Sequence, residues 1–92
     1  MTKIQESDHQ FYIGESSLEP LAQIKFEIQG SHLSILHTEV SGSLHGQGIG
    51  QQLVAYAVDY ARRNQLKIIP ICPYAKKQLE KNPQYNDFIK AD

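Results

Sequence analysis

Apolar and polar residues alternate along one segment of the chain in the pattern of a half-buried strand. Over residues 21–29 every second side chain is apolar, and this period of two is typical of a strand with one face against a core. A short segment at 9–13 precedes it, and residues 33–40 follow it after the turn residues Gly30 and Ser31. These patterns predict three strands joined as an antiparallel meander.

The apolar period changes from two to between three and four over residues 49–64, which predicts an amphipathic helix. Residues 67–72 are nearly all apolar and predict a short strand buried on both faces. A helical crossover places that strand parallel to strand 33–40, and Pro73 and Pro83 suit the starts of one or two short C-terminal helices. The predicted fold is α+β with a mixed sheet, as a single domain over residues 1–92.

A glycine-spaced loop joins the third predicted strand to the helix. Gly46, Gly48 and Gly50 lie directly at the helix start, where missing side chains, unpaired N–H groups and the helix dipole can together cradle a phosphate. A loop before a helix can also need glycine only for its turn. The lysine and hydroxyl residue of a nucleotide-triphosphate loop are missing, and the spacing G-x-G-x-G differs from that of a dinucleotide fold.

The segment His45-Gly46-Gln47-Gly48-Ile49-Gly50 resembles the pyrophosphate loop [QR]-x-x-G-x-[GA] of the GNAT superfamily of acyl-CoA-dependent N-acyltransferases. His45 stands where glutamine or arginine is usual. The strand around residues 37–40 and the segment 70–74 also resemble the small, minimal GNAT-like domains, and the likeness covers residues 11–88. It implies acetyl-CoA or coenzyme A as cosubstrate. The residues that would hold it are the loop residues His45, Gly46, Gln47, Gly48, Ile49 and Gly50, and the backbone of Thr38, Glu39 and Val40.

Four side chains are candidates for acyl-transfer chemistry. His37 and Glu39 are two apart on one strand and so share a face; if that face lines the site, either can accept a proton from an amine. Otherwise they are ordinary strand-surface residues. Cys72 can take the acyl group as a nucleophile or pack as a small hydrophobe. Tyr74 resembles the tyrosine that GNAT enzymes use as general acid for the departing thiolate, or else covers the core.

Composition narrows the remaining classes of function. The net charge of −1, from 9 Lys and Arg against 10 Asp and Glu, provides no basic surface for nucleic acid or an anionic membrane. One cysteine forbids an internal disulfide, and with no signal peptide or long apolar run we expect a cytoplasmic monomer. The four histidines and the cysteine lack the paired spacing of zinc ligands, so no metal is expected.

The sequence therefore predicts an N-acetyltransferase that transfers acetyl from acetyl-CoA to an unknown amine. Two alternatives stay open: a non-catalytic module that binds or senses CoA or acyl-CoA, and an interaction domain whose glycine loop is only a turn. Full-length GNAT enzymes carry extra helices after their first strand. Only residues 14–19 separate the first two predicted strands here, which leaves the acceptor side open and suits a protein amine.

Overall fold

The computed structural model describes residues 4–16, 18–42, 46 and 48–88. One five-stranded sheet has the strand order β1-β2-β3-β4-β5, antiparallel between neighbours except for the parallel pair β4 and β5. The fold is therefore α+β with a mixed sheet, as predicted. Its elements are β1 (Gln5–Ser7), β2 (Gln10–Ile13), β3 (Ala22–Gln29), β4 (His32–Val40), α1 (Ile49–Arg63), β5 (Lys67–Pro70), α2 (Pro73–Glu80) and a 3-10 helix (Pro83–Phe88).

The three strands of the predicted meander form and pair antiparallel, and the structure adds a fourth strand that the sequence pattern did not indicate. β1 pairs with β2 as an additional antiparallel edge strand, so that four strands form the meander. Its residues are a polar Gln-Glu-Ser run with no buried member, so no alternation of apolar residues indicated a strand. The turn between β1 and β2 places His9 at φ 59, and β2 starts one residue after it.

The core lies between one face of the sheet and the two α-helices. Phe11, Ile24 and Leu33 are completely buried on that face and pack with the apolar residues of α1, such as Leu53. The alternation over β3 correctly predicted this face near its start. Ile28, expected in the core, is 38% exposed at the far end of the strand. No helix among the described residues is long and apolar enough to cross a membrane.

A β-bulge changes which residues of β4 face the helices. Lys25 pairs with His37, but the next residue of β3, Phe26, pairs with Ile35, so Leu36 is an extra residue. Ile35 faces the core before the bulge, and Thr38, paired with the core residue Ile24, shares that face after it. The bulge therefore turns His37 and its alternate neighbours onto the opposite face of the sheet.

β5 covers only the first part of β4. The parallel pairing starts at His32 with Lys67 and ends at Ile35 with Pro70, and the backbone N–H groups of Ile71 and Cys72 both donate to the Ile35 carbonyl, at 3.1 and 2.9 Å. The strand predicted over residues 67–72 is thus two residues shorter, and Ile71 is 57% exposed rather than buried on both faces. Past Ile35, β5 no longer pairs with β4.

Candidate functional site

The uncovered part of β4 presents backbone groups along an open edge. Gln23 of β3 pairs with Glu39, and the Ser41 N–H donates to the Leu21 carbonyl at 2.8 Å. Backbone N–H and carbonyl groups of successive residues point alternately to the two sides of a strand. Those of Glu39 therefore point toward β3, and those of Thr38 and Val40 point toward the open edge. Of the three residues predicted to contact a ligand through their backbone, the edge thus offers two.

A hollow of about 400 Å³ joins this open edge to the beginning of α1. It brings together residues from β4, the glycine loop, α1 and α2, which are far apart in the sequence. Most of the residues predicted to bind the cofactor line it. The lining residues are Thr38, Val40, Gly46, Gly48, Ile49, Gly50, Gln51 and Tyr74.

The glycine loop has the conformation and charge that an anion site requires. Gly46 and Gly48 have φ angles of 81° and 69°, a left-handed region that side chains disfavour. A Cβ at Gly46 would meet nothing within 4 Å, so open space adjoins the backbone there. α1 begins with no capping side chain and no acidic residue in its first turn, which leaves its dipole unopposed. The predicted ligands His45 and Gln47 lie outside the described residues.

Cys72 lies at the N-cap position of α2, at the open edge of β4. Its side chain is 7% exposed, and its thiol donates to the Thr38 hydroxyl oxygen over 3.6 Å. Burial acts to raise the pKa of Cys72, but hydrogen bonds that the thiolate would accept from the Ala75 N–H, the Thr38 hydroxyl and the N–H groups of Tyr74 and Thr38 outweigh it. The net effect lowers the pKa. Thr38 lines the hollow, so the sulfur lies one side chain away from it.

His37 and Glu39 occupy the opposite face of the sheet from the hollow. The His37 Nε2 and Glu39 Oε1 atoms are 2.7 Å apart, and both side chains are more than half exposed. Hydrogen bonds to His37 and to Gln23 hold the pKa of Glu39 below its ordinary value. For either residue to act in the hollow, the face that they share would have to line it. That face is instead on the other side of the sheet, so the condition is not met.

Two buried glutamines support Glu39, and the sequence pattern did not predict them. The amide of Gln23 donates to Glu39 Oε2 at 3.1 Å, and that of Gln10 donates to Gln23 Oε1 at 2.6 Å. Both glutamines are less than 9% exposed, although the period of two placed Gln23 on the solvent face. A polar residue opposite the core gives no signal of burial unless its cross-strand partners are known.

The described residues contain no group of three or more His, Cys, Asp or Glu side chains arranged to hold a metal ion. The polar groups at the hollow and its edge include backbone donors, the Cys72 thiol and the hydroxyl groups of Thr38 and Tyr74.

Comparisons with known proteins agree with this geometry. The sequence profile of a family described as GCN5-related N-acetyl-transferase matches residues 10–88. The fold is similar to the NMR solution structure of a GCN5-like putative N-acetyltransferase from Staphylococcus aureus, with a TM-score of 0.82 and 38% identity over 98% of this chain and 89% of the other. No curated protein matches the chain. The profile and the shared fold show that this chain belongs to the GCN5-related N-acetyltransferase (GNAT) family.

Proposed function

We propose that the protein transfers an acetyl group from acetyl-CoA to an amine, acting as a monomer in the cytoplasm. The observation that carries this proposal is the continuity of three features: the start of α1, the open edge of β4 and Cys72. The hollow links the first two, and the Thr38 side chain connects the second to the third. A ligand with a diphosphate, an amide-containing arm and a thioester would meet a complementary group at each point.

Each part of acetyl-CoA has a matching partner in the hollow. The diphosphate would accept hydrogen bonds from the N–H groups at the start of α1, beside Gly46 and Gly48. The amides of the pantetheine arm would pair with the open backbone of Thr38 and Val40, in the manner of a peptide that adds a strand to a sheet edge. Bound in this way, acetyl-CoA would extend its thioester toward the N-terminus of α2, where Cys72 lies.

We propose further that Cys72 carries the acetyl group. Its thiolate would attack the thioester carbonyl; a bond forms from that carbon to Sγ, the carbon–sulfur bond to CoA breaks, and the CoA thiolate takes a proton from the Tyr74 hydroxyl. An amine then attacks the Cys72 thioester and forms the amide. Sγ leaves as thiolate, and the surplus amine proton returns to the Tyr74 oxygen. The lowered pKa of Cys72 supports this route.

A direct attack of the amine on acetyl-CoA is the competing route, with His37 or Glu39 accepting the proton. Both side chains extend from the sheet face opposite the hollow. A proton transfer from the hollow would therefore have to cross the sheet. This separation favours the covalent route over the direct one.

A non-catalytic module that binds or senses acyl-CoA is the second candidate function. The described residues between β2 and β3, 14–16 and 18–21, contain no helix, so the chain lacks there the elements that form an acceptor pocket in larger GNAT enzymes. This open side suits a protein amine, and it suits equally a protein that has no acceptor. Only turnover distinguishes the two functions.

Amide NMR of the full chain, titrated with CoA and with acetyl-CoA, tests binding. Both ligands should shift the amide signals of Gly46, Gly48 and Gly50 and those of Thr38 and Val40. The outer-face residue Lys25 provides an internal control whose signal should stay in place. If millimolar ligand leaves the loop and edge signals unmoved, the proposed function is wrong.

Mass spectrometry of the intact protein tests the acetyl-Cys72 intermediate. After incubation with acetyl-CoA, the wild-type chain should gain one acetyl group, and Cys72→Ala should gain none. Transfer to an amine by Cys72→Ala at the wild-type rate would eliminate the covalent route. Binding of acetyl-CoA with neither acetylation nor transfer to any amine offered would favour the sensing module.

A further inference from the structure

A lysine lies one helical turn after Cys72 in α2. Cys72 is the N-cap residue of this helix, and the Lys76 N–H donates to the Cys72 carbonyl at 3.0 Å, which is the hydrogen bond of a regular first turn. Residues four apart on a helix are neighbours. Helical side chains also tilt toward the N-terminus, so the Lys76 amine is directed toward the end of α2 at which the Cys72 sulfur lies.

Lys76 and Tyr74 extend from opposite flanks of α2. An α-helix turns by about 100° per residue, so residues two apart point in nearly opposite directions. Tyr74 lines the hollow, whereas Lys76 is not among the lining residues and is exposed. A CoA molecule in the hollow would therefore leave the Lys76 side of Cys72 open to an attacking amine.

The surroundings of Lys76 favour a position close to Cys72. None of the ion pairs among the described residues involves Lys76, so no carboxylate there holds its amine elsewhere. The residue before an N-cap commonly packs against the fourth residue of the helix, and in α2 these two are Ile71 and Lys76. Ile71 is more than half exposed, which provides apolar surface for the methylene stem of Lys76.

We infer that Lys76 is an internal acceptor, and that the protein acetylates its own Lys76 through Cys72. This inference rests on the proposed function, because the acetyl group comes from acetyl-Cys72. The neutral Lys76 amine attacks the thioester carbonyl; a bond forms from that carbon to Nζ, and the bond to Sγ breaks. Sγ leaves as thiolate, the surplus amine proton passes to water, and Tyr74 regains its own proton from water.

The product differs from acetyl-Cys72 in its stability. Acetyl-Lys76 is an amide, so it does not pass its acetyl group back to CoA as a thioester does. The transfer frees Cys72 for a second acetyl group and removes one positive charge from α2. Because an amine acceptor bound at Cys72 competes with Lys76, self-acetylation records the cycles in which no acceptor was present.

Intact-protein mass spectrometry with hydroxylamine treatment distinguishes the two acetyl groups, since hydroxylamine cleaves a thioester and leaves an amide intact. The full chain, incubated with acetyl-CoA, should first gain an acetyl group that hydroxylamine removes. It should then gain a resistant one, which peptide mapping assigns to Lys76. Lys76→Arg keeps the charge and should gain only the removable group. Lys77→Arg is the matched control: residue 77 is rotated by about 140° from Cys72 around α2, so this variant should behave as the wild type does.

Relative rates at the two lysines decide the outcome. Lys76 should be acetylated more than about 10-fold faster than Lys77, a small part of the advantage that a well-oriented intramolecular reaction can have, and Cys72→Ala should lose this preference. A removable acetyl group without a resistant one, equal rates at both lysines, or a preference that persists in Cys72→Ala overturns the inference. Binding of acetyl-CoA without any removable acetyl group overturns the covalent route beneath it, and failure to bind overturns the proposed function.

Discussion

The ring of Tyr74 lies directly against the backbone of Gly50. A Cβ atom at Gly50 would come within 2.7 Å of Tyr74 Cζ and 2.9 Å of Cε1, distances that real Cβ contacts do not reach. Gly50 has no open space beside it, unlike Gly46, and it is buried. The third glycine of the loop therefore makes room for the tyrosine that lines the hollow, while Gly46 and Gly48 shape the approach to the helix start.

Gly50→Ala should destabilise the protein and move the Tyr74 ring. Overpacking of this kind costs typically 1–3 kcal/mol in the free energy of unfolding, reduced by the roughly 1 kcal/mol that alanine gains over glycine within a helix. Urea unfolding measures the loss. In a Tyr74→Ala background the obstruction is gone, so Gly50→Ala should be neutral or stabilising there. An equal loss in both backgrounds would show that Tyr74 does not cause it.

Tyr74→Phe should slow acetylation of Cys72 without weakening the binding of acetyl-CoA. Phenylalanine keeps the ring against Gly50 and removes only the hydroxyl, and loss of a general acid costs typically 10²–10⁴-fold in rate. Quenched-flow mass spectrometry measures the rate, and calorimetry the affinity. An unchanged rate would remove the hydroxyl from the mechanism. Weaker binding or a lowered melting temperature would instead indicate that Tyr74 serves packing.

Gly48→Val should weaken CoA binding, and it should also cost stability because residue 48 has a φ of 69°. A left-handed conformation costs a side-chain-bearing residue about 1–2 kcal/mol, and more for a β-branched one. Asparagine tolerates this conformation better, so Gly48→Asn separates bulk at the phosphate approach from backbone strain. We expect it to melt close to wild type and still bind CoA more weakly. Wild-type affinity in both variants would make the glycine loop purely structural.

Cys72 should be alkylated by iodoacetamide at a lower pH than an ordinary thiol. Since its pKa is lowered, the thiolate persists to lower pH than that of an ordinary thiol. The midpoint, which is the pH at which the alkylation rate is half of its maximum, is lower as a result. Thr38→Val removes the hydroxyl that accepts from the Cys72 thiol and would donate to its thiolate, so it should raise this midpoint. Thr38→Ser retains the hydroxyl and serves as the matched control. A midpoint that is the same in all three proteins would contradict the role of Thr38.

Substitution of the outer-face residues should leave the acetylation of Cys72 unaffected. Glu39→Gln keeps a hydrogen-bonding group beside Gln23, and His37→Gln keeps one beside Glu39, so neither should disturb the sheet. Intact-protein mass spectrometry gives the rate. A large fall in the rate with either variant would restore these side chains to the chemistry and weaken the argument from their position.

Periodicity in the sequence predicted the elements that bury a regular apolar stripe, whatever apolar surface packs against that stripe. This applies to β3 and α1, whose buried faces could be predicted without knowing which elements pack against them. β1 has no such stripe, because an edge strand gains its stability from backbone pairing to β2. The burial of Gln23 and the contact of Tyr74 with Gly50 both depend on residues distant in sequence, which local patterns do not record.

Local sequence patterns also gave no indication of the β-bulge at Leu36. An uninterrupted β4 would keep odd-numbered residues on the core side, as Leu33 and Ile35 are, and would put an imidazole and a carboxylate where a threonine hydroxyl now adjoins the Cys72 sulfur. Because Leu36 is an extra residue, the even-numbered residues after it face the core in place of the odd-numbered ones. A deletion of Leu36 would remove the bulge and leave Thr38 on the core face, whereas a regular strand that kept Leu36 would exchange Thr38 for the acid–base pair, with every reactive side chain still present. In this protein, the side chains that face a substrate depend on how the sheet accommodates one extra residue as much as on the identity of the residues in β4.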